Sequence, residues 1–199
     1  LPLYAPFASQ WASIVNLFQG LRRHLPLLSQ LSEKITGFTS KRDLPKWSRQ
    51  AFRSDELPST PQASKPVILF ADTFNRYFEP ENLRAAITVL KAAGYQPFIP
   101  APSGKLPQCC GRTYLSTGLG EKARQHANEL VDSYLAFAQQ GIPIIGLEPS
   151  CTLALRDEVV ALLASKEAKI VAEHTFTFEE FLAREKPTLP ITPQGEQAL

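Results

Sequence analysis

The sequence predicts an α/β domain, a mostly parallel sheet flanked by helices in a Rossmann-like three-layer arrangement, preceded by a short helical segment. Three observations carry this expectation. Strand and helix patterns alternate from Val67 to Glu185. The clearest strand, "PVILFAD", is a continuous apolar run of the kind a strand buried on both faces needs. The segments between strands put apolar residues on one helical face.

The first strand is bounded by Pro66 and Asp72, and "EPENLRAAITVLKAAG" follows it with Leu83, Ile87 and Leu90 on one helical face. Pro80 suits the first turn of that helix and Gly94 its end. "YQPFIP" reads as a second strand. Residues 119–140 carry Leu119, Ala123, Ala127, Leu130, Val131, Tyr134 and Ala138 on one face, and Gly141 closes the helix before a third strand, "IPIIGL". "TLALRDEVVALL" is the next helix, "AKIVAE" a weak fourth strand, and "TFEEFLARE" a last helix whose Thr177 and Glu180 have capping-box spacing. Ahead of this unit, residues 6–36 read as two amphipathic helices. One stripe comprises Phe7, Trp11, Ile14, Val15 and Phe18; the next comprises Leu27, Leu28, Leu31 and Ile35. A polar, basic stretch ending in "LPSTPQASKP" has linker composition and places a boundary near residue 65. The expected organisation is a helical basic segment over 1–60, the α/β domain over 66–185 and a Pro-rich tail over 186–199. Trp11 and Trp47 are expected to be packing anchors.

The chain has 199 residues, 44% of them hydrophobic, which suffices for one ordinary core. Disorder, collagen and a disulfide-rich miniprotein are excluded. No methionine occurs and the first residue is Leu1, so the sequence is expected to be a piece of a longer or processed protein. Residues 1–65 hold nine Lys/Arg against four Asp/Glu, an excess of +5, whereas residues 66–199 hold twelve against fifteen, or −3. This basic density is too low for a dedicated nucleic-acid binder. No apolar run reaches the ~18 residues of a membrane span, so at most peripheral membrane contact is expected. Three cysteines, two of them adjacent, argue against a secreted disulfide framework and for a reducing, cytoplasmic setting.

In a parallel α/β sheet, ligands bind where loops leave the C-terminal strand ends. All three cysteines fall at such positions: Cys109 and Cys110, followed by Gly111, after the second strand, and Cys151 after the third. Adjacent thiols need an irregular turn to point the same way, and Gly111 permits one through positive φ. Cys151 opens a predicted helix, whose unpaired amides favour a thiolate. Thiolates hold soft metals and iron-sulfur clusters. Cys109, Cys110 and Cys151 are therefore candidate metal ligands, and Arg112 beside them a candidate for neutralising an anionic cluster. The alternative is that all three are small buried apolar residues. A vicinal disulfide and a Cys nucleophile are lesser alternatives, because no histidine lies in a loop near the thiols. His24, His126 and His174 lack metal-ligand spacing, and no phosphate loop, G-x-G-x-x-G or Ser-His-Asp arrangement is present.

"FADTFNRYFEPEN", "CCGRTYLSTGL" and "GLEPSCTLALRDE" resemble the cysteine-rich domain of the Cys-Cys-Gly type, over roughly residues 66–165. That domain occurs in heterodisulfide reductases and in iron-sulfur subunits of glycolate, lactate and anaerobic glycerol-3-phosphate oxidation. The version at the C-terminal end of FAD-linked D-2-hydroxyacid dehydrogenases, of the D-lactate and D-2-hydroxyglutarate type, is the nearest in these motifs. The resemblance implies an electron-transfer domain associated with a 4Fe-4S iron-sulfur cluster. Its expected partners are an FAD-bearing flavin domain, a ferredoxin-like segment and a second Cys-Cys-Gly repeat. It also implies a location in the cytoplasm or at the inner membrane face. Cys109, Cys110 and Gly111 match the family's central motif and Cys151 its final cysteine, while the two remaining family cysteines fall on Thr73 and Glu148. Two ligands are thus replaced, which suggests a site shared with another repeat. Zinc is the alternative metal, and a non-redox docking module the alternative function.

Overall fold

The computed structural model of the chain describes residues 3–36, 39, 41–62, 65–103 and 108–189. The tip of the "APSGKLPQ" loop, residues 104–107, and the tail from 190 onward lie outside the described residues. Among the described residues, four short strands form one all-parallel sheet in the order β2-β1-β3-β4: β1 (Pro66–Phe70), β2 (Gln96–Phe98), β3 (Ile144–Gly146) and β4 (Thr175–Thr177). In this register Ile68 of β1 sits between Phe98 of β2 and Ile144 of β3. The helices are α1 (Ala5–Gln10), α2 (Ala12–His24), α3 (Pro26–Thr36), α4 (Thr73–Tyr77), α5 (Pro80–Ala92), α6 (Arg112–Leu115), α7 (Gly120–Ala138), α8 (Pro149–Arg156), α9 (Glu158–Leu163), α10 (Lys166–Glu173) and α11 (Phe178–Glu185).

Alternation along β1 builds the three layers, since successive side chains leave a strand on opposite faces. Ile68 and Phe70 join Phe98 and Ile144 in a core with Ala127, Leu130, Val131 and Tyr134 of α7 and Ala168 and Val171 of α10. On the other face, Leu69 and Ala71 pack with Leu83 of α5, Ile99, Phe52 and Leu57, while Val67 and Ile145 pack with Leu90 and Phe181. Burying β1 on both faces is what its unbroken apolar run required.

Two expectations are corrected. "AKIVAE" is helical: it forms most of α10, whose N-cap Ser165 accepts from Ala168 N at 3.1 Å and whose Ala168 and Val171 share the buried face. The fourth strand comes immediately afterwards, at Thr175–Thr177. Three-to-four spacing outweighs the weak strand preference of Ile170 and Val171.

The N-terminal helices are turned the other way from the apolar stripe. Ala5 and Ala12, with Ala8 and Val15, pack against Trp47, Tyr77 and Phe78. Phe7, Trp11 and Ile14 are 69%, 62% and 60% exposed. Small residues let the helix backbone approach the Trp47 and Phe78 rings, which lie 4.4 Å apart by centroid. Asn16 fixes the rotation: its amide nitrogen donates to Trp47 O and its carbonyl accepts from Trp47 N, both at 2.9 Å. Trp47 is thus the buried anchor and Trp11 is not. In the second stripe, Leu27 and Leu31 are exposed, and the side chains of Leu28 and Ile35 lie outside the described residues.

Candidate functional site

Asp72 follows β1 and caps α4, its carboxylate accepting from Phe74 N at 2.8 Å and Asn75 N at 3.1 Å and from the Asn75 amide at 2.7 Å. This cap holds Thr73 at the sheet edge. The chain leaving β2 reaches the edge again at Cys109 and Cys110, then turns through Gly111 at φ +81° into α6. Any larger residue would meet α7, because a Cβ on Gly111 would lie 2.7 Å from Ala123 O. Tyr114 of α6 stacks on His126 of α7 with centroids 4.9 Å apart, which keeps the turn in place. From β3, Glu148 caps α8 and sets Cys151 in its first turn.

These three segments meet in a pocket of about 140 Å³ lined by Thr73, Phe74, Cys109, Cys110, Arg112, Thr113, Ser116, Ser150 and Cys151. All three thiols are buried and unoxidised. The Gly111 amide donates to Cys109 Sγ at 3.5 Å, and Cys109 interacts with Cys110 and Thr73, and Cys110 with Cys151, closely enough to shift their titration. The Cys110 hydrogen bond, then burial, pushes the Cys109 thiol far up. For Cys110 the bond with Cys109 favours the thiolate, but the bond with Cys151 and burial outweigh it and push the group up to about 12. Without a cation among them, Cys109 and Cys110 are neutral thiols at pH 7; a bound metal would have to displace their protons.

The structure brings Thr73, Arg112 and the three cysteines to one rim, but not Glu148. That carboxylate accepts from Ser150 Oγ at 2.6 Å and Ser150 N at 3.3 Å, turned to its own helix. Arg112 Nη1 donates to Ser150 O at 3.1 Å and lies 3.6 Å from a Glu158 carboxylate oxygen, so its charge is already shared. Phe74, Thr113 and Ser116 also line the pocket, and no spacing signal marks them in the sequence. The Thr113 hydroxyl is buried without a hydrogen-bond partner among the described residues. Larger cavities lie elsewhere; one of about 800 Å³ is lined by Lys65, Tyr95, His174 and Arg184 and contains none of the cysteines.

A structural zinc or a cysteine-held cluster takes about four protein ligands. Here three sulfurs are present, Thr73 offers only a weakly ligating hydroxyl, and Glu148 points away. Among the described residues, no group of three or more His, Cys, Asp and Glu side chains is arranged to hold a metal ion. The described residues therefore do not by themselves fit a cluster or zinc. Among the described residues, no helix is long and apolar enough to cross a membrane.

Comparison with known proteins gives dehydrogenases. The chain is 29% identical over 198 residues to one of the subunits of anaerobic glycerol-3-phosphate dehydrogenase of Escherichia coli strain K12, covering 96% of this chain and 48% of that protein. It is 25% identical over 198 residues to D-2-hydroxyglutarate dehydrogenase of Haemophilus influenzae, covering 92% of this chain and 18% of that one. With the D-2-hydroxyglutarate dehydrogenase of E. coli strain K12 the identity is 23% over 210 residues, covering 97% and 19%. The chain thus spans about half the length of the first relative and under a fifth of the other two. No family model and no solved structure matches it. Its homologues are oxidoreductases of the dehydrogenase type, and they include both the glycerol-3-phosphate and the D-2-hydroxyglutarate branches that the sequence motifs resemble.

Proposed function

We propose that this chain is the cysteine-rich, electron-transfer part of an FAD-linked dehydrogenase that oxidises D-2-hydroxy acids. In such an enzyme a flavin on another part of the protein takes the hydride, and electrons leave toward a quinone or other carrier. This chain lies on the outgoing side and does not meet the hydroxy acid. The observation that carries the reading is the convergence of Cys109, Cys110 and Cys151, 42 residues apart in sequence, in one buried pocket at the C-terminal strand edge. Three thiols are one short of a four-ligand set, so the iron-sulfur centre they serve would draw its remaining ligand from outside this chain.

The test is anaerobic reconstitution of the complete enzyme with iron and sulfide. Sulfur-to-iron absorption is expected, with loss on Cys110→Ser or Cys151→Ser. Absorption unchanged by either substitution refutes the assignment. A second reading, a non-redox zinc or docking module, is favoured by two observations: burial and their neighbours hold Cys109 and Cys110 as neutral thiols, and Glu148 is committed to helix capping. A colourless complete enzyme with stoichiometric zinc would select it.

A further inference from the structure

The outward face of α1 and α2 is the largest feature that the cysteine pocket does not explain. Phe7, Trp11, Ile14, Phe18, Leu21 and Leu25 succeed one another at intervals of four, three, four, three and four residues, and all are between 45% and 69% exposed. That is a heptad seam, the spacing by which one helix meets another along its length. The two helices follow one another directly: only Trp11, at φ −103° and ψ 23°, separates them, its carbonyl accepting from Ile14 N at 3.0 Å and Val15 N at 2.9 Å. Leu17, beside the seam, is exposed as well, as are Leu27 and Leu31 of α3, which packs against α2. The exposed apolar side chains amount to on the order of 1,000 Å², beyond the ~300–600 Å² patch usual on a monomer and enough for the ~800 Å² per partner of a standard interface. The Asn16 clamp and the alanine face hold the seam outward, so it cannot be buried by rolling the helix over.

The order of side chains selects the occupant. A two-fold axis level with Asn16 sets Phe7 opposite Leu25, Trp11 opposite Leu21 and Ile14 opposite Phe18. Every aromatic then meets an aliphatic residue, and the seam is complementary to itself when reversed. In the same register the antiparallel helices oppose their dipoles favourably. We propose that the chain forms a two-fold symmetric dimer in which the Phe7–Leu25 seams of two copies pack antiparallel. An interface of this isologous kind closes on itself and leaves the cysteine edge of each copy outside the contact.

Sedimentation velocity on the 199-residue chain tests this. A dimer is expected at about 10 μM, and the Ile14→Glu/Phe18→Glu double variant should associate at least ~100-fold more weakly. Both positions are exposed in the monomer, so circular dichroism should report an intact fold. Register is read by disulfide trapping. Ile14→Cys protein mixed with Phe18→Cys protein should give a covalent dimer, whereas Phe7→Cys should not cross-link to itself, because antiparallel packing holds its two copies ~27 Å apart. Three results would overturn the proposal. One is a chain that stays monomeric at about 100 μM. Another is self-linking of Phe7→Cys as fast as the mixed pair. The third is binding of the seam to anionic phospholipid vesicles, or to another protein of the same enzyme, under conditions where no dimer forms.

Discussion

Replacing Gly111 by alanine should destabilise the domain by about 3 kcal/mol, and two separate effects make up that figure. The left-handed backbone at φ +81° disfavours a side chain by roughly 1–2 kcal/mol. The new Cβ would also stand 2.7 Å from Ala123 O and 3.2 Å from Ala123 Cα. Both are backbone atoms of α7 that cannot rotate aside, so the turn must shift, an overpacking effect of about 1–3 kcal/mol. Gly94 separates the two contributions: it has nearly the same φ, +82°, with nothing within 4 Å of its Cβ position. Gly94→Ala should therefore show the backbone effect alone. In a chain of this size each kcal/mol moves the melting temperature by about 2–4 °C, so Gly111→Ala should melt about 6–12 °C lower. Urea unfolding gives the free energies. Cys109 and Cys110, 5% and 4% exposed, should also react faster with a thiol reagent once the turn moves. Equal losses at Gly111 and Gly94, with unchanged thiol reactivity, would refute the claim that α7 presses on the cysteine turn.

Two further outcomes follow from buried polar groups. Tyr134 is fully buried and its hydroxyl has no hydrogen-bond partner among the described residues, so Tyr134→Phe should raise stability by about 1–2 kcal/mol in urea unfolding, and a loss would contradict this. Burial raises the Asp72 carboxyl against the opposing hydrogen bonds from Asn75 and Phe74. Its folded value lies above the unfolded one, so its contribution is fully present below the usual carboxylate range and is lost as pH rises through the folded value. Asp72→Asn keeps an oxygen to cap α4 and should flatten the fall of stability as pH rises above the usual carboxylate range; identical slopes in the two proteins would contradict the assignment.

The α/β architecture could be read from local patterns because burial on two faces leaves a continuous apolar run, as in β1, and burial on one leaves a helical stripe, as in α7. The sheet edge that gathers the cysteines followed from the direction of the parallel strands, and positive φ at Gly111 from the demands of adjacent thiols. The α10 segment misled because Ile170 and Val171 favour strand locally, while only its packing against α7 shows which period the core uses.

At Glu148 and the N-terminal helices, local pattern was insufficient. A carboxylate beside a helix start can face a metal or cap the helix, and the choice rests on Ser150, whose hydroxyl and amide claim it. Residues 5–18 are apolar on two faces, one small and one large. By itself, the sequence determined that both faces exist and where strands, helices and thiols fall. Only the tertiary structure decided which face turns inward, because that depends on Trp47 and Phe78, distant in sequence, offering a surface that small side chains alone can approach.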